Sequence, residues 1–305
     1  MRPIGRHTAV GAVIALLVTG AAGCAQARPA ASGRAPATAE LSDAALDLAV
    51  RAGPYREEQL SLQQAEYELT RRCMDERGFD YPTWEGGTTG IDDSWQPDLE
   101  NRRSHGYGFA GPAASPENQY PSGLSATERK AYARALSGDP GKQAVLRLSS
   151  GPEFTFGTTG CIAESRIGLY GDAVDAARVF YVPQEARNAL NGPIGSSPAM
   201  RAATRAWKSC MKDRGQPYGS MAEARADAHR AHEAADADTA RRTEVRIAMA
   251  DGACALAADM PEVADRVGRE QAGGLTSRQR TDLNRAAELR AAALERAQDI
   301  AGDRP

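Results

Sequence analysis

His229 and His232 stand three residues apart in a stretch rich in Ala, Asp and Glu, with Asp227, Glu233 and Asp236 close by. On a helix this spacing puts both imidazoles on one face, where they can share a metal ion if a third ligand arrives from another element. The sequence marks no such ligand. The pair is read as part of a solvated polar helix face, and no metal or other cofactor is implied. A serine hydrolase would have to take its base from His105, His229 or His232, because His7 lies in the N-terminal leader. The chain has no G-x-S-x-G and no H-E-x-x-H, and no nucleophile is marked.

The cysteines carry a stronger pattern. Cys73-Met74-Asp75-Glu76-Arg77-Gly78 is echoed by Cys210-Met211-Lys212-Asp213-Arg214-Gly215, and each copy closes a helical-looking run. Each has a later cysteine near a glycine, in Gly160-Cys161-Ile162-Ala163 and Gly252-Ala253-Cys254-Ala255. There is no C-x-x-C, so structural disulfides are preferred to redox or metal chemistry. Four cysteines allow three connectivities. The internal repeat points to Cys73–Cys161 and Cys210–Cys254, one bridge in each half, each stabilising by roughly 2–5 kcal/mol.

Residues 79–121 break the helical pattern. Gly, Pro, Ser and Asp dominate, yet two of the three tryptophans, Trp84 and Trp95, fall here with Tyr107 and Phe109. A loop of this length is usually functional or disordered. Trp84, Trp95 and Tyr107 are therefore candidate contacts to an envelope ligand, either glycan or protein. The competing reading is that they fasten the loop to helices beneath it.

The N-terminus reads as a targeting segment. Arg2 and Arg6 precede a short apolar core over 9–22, too short for an ordinary transmembrane helix and ending in small residues. Ala21-Ala22-Gly23-Cys24 resembles a bacterial lipobox, in which the cysteine is acylated (a palmitate-type anchor) and becomes residue one. Ala21 stands where that box usually has Leu, and Ala25-Gln26-Ala27 offers a competing cleavage site that would give a secreted protein. Cysteine arithmetic favours the lipid: the count of five is odd, and acylating Cys24 leaves two pairs for an oxidising exterior. Residues 24–40 then form the lipidated cysteine and a flexible tether with an r.m.s. span of about 20–24 Å.

The formal charge is −3, from 37 Lys+Arg against 40 Asp+Glu. That balance gives no electrostatic footprint for nucleic acid. Much Ala, Arg and Glu favours helix. Helices are predicted over 42–52, 56–77, 125–136, 160–170, 172–182, 198–214, 220–234, 238–258, 261–272 and 277–300. Ser125-Ala126-Thr127-Glu128 and Thr276-Ser277-Arg278-Gln279 mark capping boxes. A small hairpin is expected from 145–148 and 153–156, needing a helix to pack on. Asn191-Gly192-Pro193 is taken as the internal boundary. The predicted fold is mainly α, bundle-like, with a first half over 41–192 carrying the hairpin and the long loop, and a second half over 193–305.

With these motifs in place, the chain resembles an uncharacterised lipoprotein family of high-GC Gram-positive bacteria. The shared features are the C-M-x-x-x-G helix ends, Gly160-Cys161-Ile162-Ala163-Glu164 followed by Leu169-Tyr170-Gly171, and Ala250-Asp251-Gly252-Ala253-Cys254. The resemblance covers most of 55–300 and implies location and frame, without an activity. The expectation is a lipoprotein on the extracytoplasmic face of the membrane, with a non-enzymatic binding or accessory role. The alternatives are a cell-wall hydrolase or esterase, and a metal- or small-ligand-binding protein.

Overall fold

Several helices start at a side-chain cap the sequence marks. The computed structural model describes residues 40–82, 95–109 and 123–302. The leader, Cys24 and Trp84 lie outside the described residues. Helix α1 (Asp43–Val50) starts at Ser42, whose hydroxyl accepts from Ala45 N. Helix α2 (Tyr55–Glu76) follows, and α3 (Leu99–His105) starts at Asp98, which accepts from Asn101 N. Helix α4 (Ala126–Ser137) has the predicted capping box, with Glu128 N donating to Ser125 Oγ and Ser125 N to the Glu128 carboxylate. Strands β1 (Gln143–Arg147) and β2 (Glu153–Gly157) form the antiparallel hairpin, with Val145 opposite Thr155. Helices α5 (Cys161–Tyr170), α6 (Ala173–Ser196), α7 (Pro198–Asp213), α8 (Met221–Ala234), α9 (Ala237–Ala257), α10 (Met260–Gln271) and α11 (Ser277–Gly302) complete the order. The fold is mainly α, as predicted.

Two expectations need correction. Residues 79–121 contain the short helix α3, which carries no apolar period to betray it. Its order comes from tertiary contact: Arg102 is 1% exposed and reaches into α9. The stretch read as the internal boundary is helical. Helix α6 runs through Asn191, Gly192 and Pro193 to Ser196. Proline removes one backbone donor and clashes with the preceding turn, but Leu190 and Ile194 on either side are buried in the main core, and their packing outweighs the local preference. Ser197 then caps α7, with Pro198 at its first position.

The repeat is real at the helix ends. Phe79 N donates to Met74 O and Gly78 N to Asp75 O; Gln216 N donates to Met211 O and Gly215 N to Lys212 O. These are the paired bonds of a glycine-ended helix, and Gly78 and Gly215 have φ of +77° and +70°. Met74 and Met211 are both fully buried beneath their turns. The likeness stops at the partner cysteines. Cys161 opens α5, whereas Cys254 lies in the last turn of α9.

Both bridges have the expected partners: Cys73–Cys161, with Cα atoms 5.5 Å apart, and Cys210–Cys254, at 5.6 Å. The first ties α2 to α5 and the second ties α7 to α9. The segments before and after residue 193 interleave. Helix α11 packs on α2 and α6, and α10 packs on α1 and α6. One core joins Leu48 of α1, Ile194 of α6, Trp207 of α7, Ile247 of α9 and Leu283 of α11. The hairpin finds the helix it needs: Phe154 stacks on Tyr181 at 3.9 Å, and buried Glu185 accepts from Ser149 Oγ and Ser150 N. Among the described residues no helix is long and apolar enough to cross a membrane.

Candidate functional site

The 95–109 segment is fastened to α9 by two buried carboxylates, Glu244 and Asp251, two turns apart on the same face as Ile247, Ala248 and Ala255. Asp251, 2% exposed, receives three donors. Arg102 Nη1 and Tyr107 Oη donate to Oδ2, both at 2.9 Å, and Trp207 Nε1 donates to Oδ1 at 2.9 Å. Arg102 also donates to Ala248 O at 3.1 Å. Burial raises the Asp251 carboxyl above its ordinary value, while Arg102, Tyr107 and Trp207 pull it back. Burial and the neighbouring Asp251 charge push the Tyr107 phenol well above its ordinary value, so it acts as a donor.

Glu244, with no exposed surface, holds the next stretch of chain. Its Oε1 accepts from Tyr107 N at 2.7 Å and Phe109 N at 2.9 Å, and its Oε2 lies 2.7 Å from His232 Nε2. These distances demand a bare backbone opposite. A Cβ on Gly106, which has φ +63°, would stand 2.6 Å from Glu244 Cγ. Gly252 does the same for α3: a Cβ there would meet Leu99 Cδ2 at 2.7 Å and Arg102 Nη1 at 3.0 Å. A glycine inside α9 weakens the helix but lets α3 lie close enough for Arg102 to reach Asp251.

The histidine pair and the aromatic loop, separate in the sequence, meet here. His232 spends its one hydrogen bond among the described residues on Glu244. His229 is exposed, lies 3.8 Å from Glu233, and meets the Phe109 ring edge-to-face at 5.0 Å. Among the described residues no three His, Cys, Asp or Glu side chains are grouped to hold a metal ion. Tyr107 is turned inward, with the guanidinium groups of Arg102 and Arg225 5.2 and 4.9 Å from its ring centroid. Trp95 is half-buried, its indole resting over Gly195 of α6. One S-x-x-K spacing occurs, Ser209-Cys210-Met211-Lys212; both its polar side chains are exposed at the end of α7 beside a disulfide.

Sequence reasoning missed Glu244, Asp251, Arg102 and Gly252. The signal was present: two acids on the apolar stripe of α9, and a glycine inside a helix. Tyr107→Phe tests their structural role. It should lower unfolding free energy by about 1–2 kcal/mol, the loss of one hydrogen bond to a buried charge, measured by urea denaturation. An unchanged midpoint would mean the hydroxyl holds nothing.

No family model matches the chain, and neither a curated protein nor a solved structure does.

Proposed function

We propose that the protein is an exported lipoprotein, anchored to the outer face of the cell membrane through acylated Cys24, with a non-enzymatic binding role in the envelope. One observation carries the reading. Four of the five cysteines close on one another in two disulfides. Bridges of this kind belong to oxidising compartments, and they leave Cys24 as the one cysteine outside a pair, next to the lipobox-like Ala21-Ala22-Gly23. The resemblance to high-GC Gram-positive lipoproteins agrees with that assignment. The non-enzymatic part rests on the polar groups themselves. Glu244, Asp251 and His232, which in another setting would be candidate acids and bases, are committed to holding the loop.

Cys24→Ser tests the anchor in the native cell. Wild-type protein should fractionate with membranes and move into the detergent phase. The variant should appear in the medium or persist as the unprocessed precursor. A wild-type chain found in the soluble exported fraction overturns the proposal.

A further inference from the structure

Trp95 forms one wall of a cleft of about 550 Å³ between the end of α1 and the C-terminal part of α6. One face of α6 lines most of the remainder. Gln184, Asn188 and Asn191 stand there at i, i+4 and i+7, each exposed. Seven residues of helix rise about 10 Å, so the amides form a short ladder along the cleft. None of the three is engaged by another described residue. Arg187, 6% exposed, lies on the same face, its Nη1 donating to Val50 O. Arg51 completes the rim. It is one of two non-glycine residues at positive φ among the described residues, +58°, a backbone conformation that glycine adopts at lower cost. Gly192 adds no side chain, and a Cβ there would meet nothing within 4 Å.

We propose that this cleft binds a saccharide chain, a reading that rests on the envelope location inferred above. The chemistry is specific. A half-buried indole gives a flat apolar face for the C–H side of a pyranose ring. Side-chain amides donate and accept at once, which suits hydroxyl and acetamido groups that do both. The volume lies within the range of small-ligand sites, about 300–1,000 Å³. A peptide would be recognised by a free strand edge or an apolar groove, and this cleft has a helix face and amides instead.

Binding is measured by calorimetry with full-length protein in detergent. The probes are a tetrasaccharide of N-acetylglucosamine, insoluble cell-wall sacculi, and the glycan-free peptide fraction of digested sacculi. Gly192→Leu adds bulk at an exposed helix position that lines the cleft. It stands before Pro193, where a Cβ disfavours helical backbone, so its melting temperature is measured with its affinity, and Asn188→Ala with Asn191→Ala decides the test if that temperature falls. Affinity for the tetrasaccharide should fall on the order of tenfold or more, equivalent to losing one or two good polar contacts. Asn188→Ala with Asn191→Ala should cause a similar loss at an unchanged melting temperature, and retention on sacculi should fall in parallel. The proposal is overturned if wild type gives no heat with the tetrasaccharide, if Gly192→Leu binds as tightly, or if only the peptide fraction binds. The anchor is scored independently by fractionation of Cys24→Ser. A membrane-anchored protein with a silent cleft rejects the ligand alone, and a saccharide-binding protein without lipid rejects the anchor alone.

Discussion

Asp251→Ala is expected to lower unfolding free energy by about 3–5 kcal/mol, because it breaks a buried ion pair by removing one member. Arg102 is 1% exposed, and its ion pair with Asp251 is closed to solvent on both sides. Removing the carboxylate also leaves Trp207 Nε1 short of its closer partner and Tyr107 Oη without its acceptor. A cycle with Arg102→Leu separates the causes. The double variant should cost less than the two single losses added, since no uncompensated charge is then left inside. The exposed pair Asp227 and Arg230 serves as control. Arg230→Ala should cost on the order of 1 kcal/mol or less, and it leaves the Tyr218 hydroxyl bonded to Asp227. If Asp251→Ala unfolds within about 1 kcal/mol of wild type, the loop is not held through this network.

The second large effect is loss of the bridges. Cys73 and Cys161 are 88 residues apart, Cys210 and Cys254 only 44. Closing the longer loop removes more entropy from the unfolded chain. Replacing both members of the first pair by Ser should therefore cost about 4–5 kcal/mol. The second pair should cost less by about 0.6 kcal/mol, the increment for a twofold change in loop length. Guanidinium titrations of the two double variants and the oxidised wild type give the comparison. Tryptic mapping without reductant should recover the 73–161 and 210–254 peptides. A 73–210 crosslink, or a smaller loss from the longer loop, would contradict this assignment.

Much of the frame could be read from the chain because its signals are local. Ser42, Ser125, Ser197 and Thr276 each accept from a backbone N–H in the following turn, and such caps need only a few consecutive residues. The repeated Cys-Met turns were equally visible, since each is written in six residues. What escaped depends on distant partners. Helix α3 has a single apolar residue, Leu99, and is ordered by Arg102 meeting a residue 149 positions away. Helix α6 passes through Gly192 and Pro193 because Leu190 and Ile194 find a core that no short window contains. Glu244 and Asp251 were legible as acids on an apolar stripe. Their purpose became visible only once the loop they hold was placed above them.

The candidate site was legible in part. Trp95 was marked by its rarity and its setting, and it does border a cleft. Tyr107 was marked for the same reason but is turned inward onto Asp251. The two differ in what lies opposite. Tyr107 meets a buried carboxylate that needs its proton, whereas Trp95 meets a glycine and a row of exposed amides. His229 and His232 share a helix face as expected, yet one meets a phenyl ring and the other a buried acid.

The most direct test of the central proposal is the N-terminus of the native protein. Mass spectrometry of the chain isolated from its own membrane should find it beginning at Cys24, carrying a thioether-linked diacylglyceryl group. A native chain beginning at Arg28 and bearing no lipid would contradict it.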